Sequence, residues 1–81
     1  MKIYNLVIEN PYNGDIDVDE YFVNLSRAIK DGKQCIMEYF DGKDMDISVK
    51  KQYEQYKDIY QFVIYPHQKT RSYIYVIDTV D

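Results

Sequence analysis

Asp17-Val18-Asp19-Glu20-Tyr21-Phe22-Val23-Asn24-Leu25-Ser26-Arg27-Ala28-Ile29-Lys30-Asp31-Gly32 is the stretch whose reading decides the fold. Within it Val18, Tyr21, Phe22, Leu25, Ala28 and Ile29 recur at i, i+3, i+4, i+7, i+10 and i+11, an apolar stripe at the helical period. Asp17 stands where a side-chain acceptor caps the first amides, and Glu20 follows three positions later, where the partner in a capping box belongs. Asp31-Gly32 reads as the stop, because glycine tolerates the left-handed conformation that closes many helices. The pattern predicts a helix over about 18–31, with Tyr21 and Phe22 as contacts to a sheet rather than parts of a cofactor site.

Upstream, Lys2 to Glu9 is β-branched and aromatic and too short for a helix, so it reads as a strand with Tyr4, Leu6 and Ile8 on one face and Ile3, Asn5 and Val7 on the other. Asn10-Pro11-Tyr12-Asn13-Gly14 breaks it: proline lacks a ladder donor, and Asn-Gly favours positive φ. Downstream, Gln34 to Phe40 reads as a second strand, and Asp41-Gly42 is a turn signal leading to the alternating residues Met45, Ile47 and Val49. Residues 51–60 carry two patterns. Val49, Tyr53, Tyr56 and Tyr60 match a helical stripe, while the same stretch also extends the strand and turns at Lys57-Asp58. Ile59 to Tyr65 and Tyr73 to Ile77 form a hairpin across a polar loop, 66–72, with Tyr73, Tyr75 and Ile77 on one face and Ile74 and Val76 on the other.

The fold class implied is α+β: one helix on a mainly antiparallel sheet of four to five strands, with a possible second short helix near 50–60. With that second helix the order approaches a split βαβ arrangement followed by one more strand. The chain has 81 residues, 46% of them hydrophobic and 30% charged, a composition of folded rather than disordered proteins. A single compact domain over 1–81 is expected. A chain of this size buries only about 60% of its unfolded surface, which leaves little room for an enclosed active site. The longest apolar runs, Leu6-Val7-Ile8 and Phe62-Val63-Ile64-Tyr65, are far too short to span a bilayer, and the first residues lack the features of a signal peptide. With the single Cys35 unable to form an intramolecular bridge, a cytoplasmic location is expected.

No pattern of residues argues for catalysis, and the chain is expected not to be an enzyme. Cys35 falls in an apolar-alternating segment, where thiols are commonly inert, and His67 falls on a polar loop, so the two do not suggest a nucleophile and base. Asp15, Asp17 and Asp19 match the first three ligand positions of a calcium loop, but the sixth and twelfth positions hold Glu20 and Ser26 instead of Gly and Glu. No metal or other cofactor is expected, and three glycines leave no phosphate-binding loop.

Charge and aromatic content carry the remaining signal. The formal net charge is −4, and ten acids stand against four bases between Glu9 and Asp46, whereas Lys50, Lys51, Lys57, Lys69 and Arg71 outnumber Glu54 and Asp58 between Lys50 and Arg71. An acidic surface steers a protein towards basic partners, and nucleic-acid-binding proteins carry such basic clefts. The expectation is a small acidic, non-catalytic protein-binding module, in its sharpest form a phage or mobile-element inhibitor that occupies a nucleic-acid-binding site on a host protein. Asp15, Asp17, Asp19, Glu38, Asp41, Asp44 and Asp46 are its candidate partner-binding residues. The ten tyrosines support an alternative, a single-stranded nucleic-acid binder that stacks bases on Tyr73 and Tyr75 and holds phosphates with Lys69 and Arg71. A third class is a self-assembling structural subunit or homodimer formed through an exposed sheet edge.

Overall fold

A computed structural model describes residues 1–40, 45–54, 57–65 and 68–79. The elements are β1 (Lys2–Glu9), β2 (Ile16–Phe22), α1 (Leu25–Tyr39), β3 (Ile47–Glu54), β4 (Lys57–Ile64) and β5 (Gln68–Asp78). All five strands form one antiparallel sheet in the order β2-β1-β5-β4-β3, so the fold is α+β with a single described helix packed on it. The central ladder joins β1 to β5, in the register Asn5↔Tyr75 and Leu6↔Ile74.

The helix is displaced from its expected position. Residues 18–22 belong to the edge strand β2, and the helix continues through Gln34–Tyr39, which had read as a strand. Ile16-Asp17-Val18-Asp19-Glu20-Tyr21-Phe22 satisfies both periods over its short length, and pairing along β1 decides for the strand, with Leu6↔Glu20 and Ile8↔Val18. Val18 and Phe22 still reach the core, but from the sheet. The helical stripe is real only from Leu25 onward, running through Ala28, Ile29, Gly32, Ile36 and Tyr39. Its N-cap is Asn24 rather than Asp17: the Asn24 Oδ1 accepts from the Arg27 amide at 3.2 Å.

Gly32 lies inside the helix rather than at its end, and close approach is its reason for being there. A Cβ on Gly32 would lie 2.9 Å from Cε1 and 3.0 Å from Cε2 of Phe62, a fully buried ring at the centre of the core. Leu6 and Ile8 of β1, Ala28 and Ile36 of the helix, Ile47, Ile64 and Ile74 complete that core. Gly14, at φ 79°, makes the turn that leads from β1 to β2.

Residues 51–54 and 57–60 are strand, so the second helix and the split βαβ order do not form. The ladder from Ile47↔Ile64 to Glu54↔Lys57 pairs β3 with β4 throughout, which a helix at these positions would forfeit. β5 begins at Gln68, so Lys69 and Arg71 are strand residues rather than parts of a loop. The expected Asp41-Gly42 turn and His67 lie outside the described residues. The strand faces of β1 and β5 are as expected. Tyr4, Leu6, Ile8, Ile74 and Val76 share the helix side, and Ile3, Asn5, Val7, Tyr73, Tyr75 and Ile77 share the other.

A register shift between Gln61 and Val63 interrupts the β4–β5 ladder, and side chains satisfy the backbone groups it releases. Thr70 Oγ1 donates to the Phe62 carbonyl at 2.7 Å and accepts from the Ser72 amide at 3.2 Å. The buried Gln61 donates to the Thr70 carbonyl at 2.9 Å and accepts from Gln52 Nε2 at 2.7 Å. Among the described residues no helix is long and apolar enough to cross a membrane.

Candidate functional site

The helix runs back over β1 and β2, and this brings acids from two elements together. Asp31, Cys35 and Glu38 are spaced i, i+4 and i+7 on α1, one face of a helix. Glu20, on β2, points to the helix side of the sheet because it pairs with Leu6. The result is felt at Cys35. Burial pushes the thiol up from its ordinary value, and the charges of Glu38, Asp31 and Glu20 push it in the same direction. Glu20 and Glu38 are exposed, so the carboxylates face solvent around a thiol kept neutral.

Asp17 extends this acidic surface by way of a bulge. Ile8 pairs with Val18 but Glu9 pairs with Ile16, so Asp17 is the extra residue and is turned out of the ladder. Its carboxylate accepts from Tyr39 Oη at 2.6 Å and from Asn10 Nδ2 at 3.1 Å. Burial, together with this hydrogen bond and the negative charge of Asp17, pushes the Tyr39 hydroxyl up to about 12. Tyr12 closes the corner, donating from its hydroxyl to the Tyr39 carbonyl at 3.0 Å with its ring 6.2 Å from that of Phe40.

The other expected partner-binding residues are dispersed. Asp19 lies on the sheet face away from the helix and accepts from Asn5 Nδ2 at 2.7 Å. Asp15 lies in the connection before β2, where its amide donates to Asn13 Oδ1 at 2.9 Å. Asp46 precedes β3 at the opposite edge of the sheet, four strand spacings or roughly 19 Å from β2. Asp41 and Asp44 lie outside the described residues. Of the expected partner-binding residues, Asp17 and Glu38 both act on Tyr39, Asp17 through its hydrogen bond and Glu38 through its charge, and Glu20 and Asp31, which were not among those expected, join Glu38 at Cys35. The spacing of Asp31, Cys35 and Glu38 was the available signal, hidden because Gln34–Phe40 had read as a strand.

The residues considered for nucleic acid divide into two groups. Tyr73 and Tyr75 sit on the sheet face away from the helix, their ring centroids 5.8 Å apart and their planes inclined at 33°. Lys69 and Arg71 instead line a cleft of about 280 Å³ at the end of the sheet, with Glu9, Ile36, Tyr39 and Ile64 among its walls. There Arg71 Nε lies 3.9 Å from Glu9 Oε2, so part of its charge is already answered. Among the described residues no group of three or more His, Cys, Asp or Glu side chains is arranged to hold a metal ion.

Comparison with protein-family models, with curated proteins and with solved structures gives no match.

Proposed function

We propose that this chain is a non-catalytic acidic binding module whose α1–β2 surface engages a positively charged protein. The observation that supports this reading is the convergence of Glu20, Asp31 and Glu38 around Cys35, with Asp17 beside them at Tyr39. A cluster of like charges costs the free chain stability through repulsion, and a basic partner that neutralises it gains both in rate of encounter and in choice of register. The finer reading is an inhibitor, of phage or mobile-element origin, that sits in a cytoplasmic host protein's nucleic-acid channel. Carboxylates spaced over a strand and a helix there take the place of phosphates. Direct nucleic-acid binding is the less favoured reading, because the stacking pair Tyr73 and Tyr75 and the cleft-lining bases Lys69 and Arg71 lie apart, and Arg71 is already 3.9 Å from Glu9, which leaves little free positive charge for phosphates.

The test is capture on the immobilised chain from an extract of its own cells, with duplex DNA as competitor. The expected result is a basic protein held at low ionic strength, displaced by DNA, and lost with the triple variant E20Q/D31N/E38Q. Raising salt to 1 M, where the screening length falls to about 3 Å, should release it as well. Capture that neither DNA nor the triple variant changes would overturn the reading. Direct retention of the DNA by the immobilised chain would favour the nucleic-acid alternative.

A further inference from the structure

The two edges of the sheet carry matching strands of opposite charge. Four successive antiparallel ladders connect β2 to β3, so these edge strands run in the same direction. Aligned in parallel, Val18-Asp19-Glu20-Tyr21-Phe22 meets Val49-Lys50-Lys51-Gln52-Tyr53. Valine meets valine, two acids meet two lysines, and an aromatic meets an aromatic. The faces also agree. Val18, Glu20 and Phe22 share the side of Leu6 and Ile8, and Val49 and Lys51 share the side of Phe62 and Tyr60, which in both cases is the helix side. A one-residue slip would put every side chain on the wrong face, and this alignment needs none. The bulge at Asp17 ends the matched run on one side.

We propose that copies of this chain assemble head to tail, β2 of one pairing in parallel with β3 of the next, so that Asp19 faces Lys50 and Glu20 faces Lys51. All four side chains are exposed. Asp19 already accepts from Asn5, and Lys51 lies 3.5 Å from Asp58, yet a carboxylate has further acceptor sites and an ammonium further donors. Charge disfavours the symmetric alternatives: centred on the charged pair, β2 against β2 sets carboxylates opposite one another, and β3 against β3 does the same with lysines. Charged edges ordinarily prevent sheets from joining. Here the two edges repel their own kind and attract each other. An interface between two different edges does not close on itself at two copies, so the product is an open chain. At roughly 20–25° of twist per strand, each added copy of five strands turns the chain by roughly 100–125°.

Sedimentation velocity at low ionic strength, across a concentration series, tests this. The expected result is an average mass that climbs past that of a dimer with concentration and returns to that of the monomer at high salt. Two variants extend the test: D19K/E20K has two basic edges and K50E/K51E has two acidic ones. Each alone should remain monomeric, and an equimolar mixture should assemble again, because every edge then meets its opposite. A wild-type chain that stays monomeric, a mass that stops at two copies, a variant that assembles alone, or a mixture of folded variants that does not recover would each overturn the proposal. The wild-type series decides the matter even if a variant fails to fold.

Discussion

The ring of Phe62 lies against the backbone of Gly32, so that the middle of the only described helix is held to the fourth strand at the one point where the helix has no side chain. Glycine in a helix interior costs about 1 kcal/mol relative to alanine. The close approach offsets that cost by letting a fully buried aromatic ring fill the centre of the core.

Gly32→Ala should therefore destabilise the protein although it improves helix propensity. Overpacking of this kind costs about 1–3 kcal/mol, which at about 4–8 °C per kcal/mol for a chain of this length is a fall in melting temperature of about 4–24 °C. Combining it with Phe62→Leu should cost less than the two changes summed, since the smaller side chain gives the new methyl room. Strict additivity in thermal unfolding would show that the Gly32–Phe62 contact is not the cause.

Thr70→Val should lower the urea midpoint more than a surface change would. It removes the hydroxyl that serves both the Phe62 carbonyl and the Ser72 amide, and leaving such buried groups unpaired costs about 1–3 kcal/mol. Thr70→Ser, which keeps the hydroxyl, should hold near the wild-type midpoint.

The hydroxyl of Tyr39 predicts a loss of stability in alkali. Its value in the folded protein, about 12, is above the ordinary 10.0, so the folded state binds the proton more tightly. The stabilisation is then complete below pH 10 and fades as pH rises towards about 12. The difference in unfolding free energy between wild type and Tyr39→Phe, followed across that window, should shrink as pH rises. A difference that stays constant would mean that the proton on Tyr39 is not linked to folding.

Cys35 reports on the acidic surface directly. Because burial and the charges of Glu38, Asp31 and Glu20 hold the thiol protonated, its alkylation by iodoacetamide should be slow, and its midpoint on the pH axis should lie above that of a free thiol. The variant E20Q/D31N/E38Q should react faster at a given pH while melting within a few degrees of wild type. Equal rates would mean that these carboxylates do not share a surface with Cys35.

Several features were legible from local pattern. The faces of β1 and β5 could be read because a period of two needs no knowledge of the neighbouring strand, and a helical stripe containing Leu25, Ala28 and Ile29 was visible in the same way, although it read as beginning at Val18. Its bounds were the difficulty. Those three residues extend at helical spacing in both directions, upstream to Val18, Tyr21 and Phe22 and downstream to Gly32, Ile36 and Tyr39. The candidate site suffered with it, since Asp31 and Glu38 fall on one face only once both are helical.

Composition, charge imbalance and the alternation of side chains are local properties, and they were enough for an α+β class, a mainly antiparallel sheet and an acidic amino-terminal half. Which segment completes the ladder beside β1 is settled by hydrogen bonds between residues far apart in the chain, and these exist only once Leu6 faces Glu20 and Ile8 faces Val18. That long-range pairing made a strand of 16–22, moved the helix towards the carboxyl terminus, and gathered Glu20, Asp31 and Glu38 around one thiol.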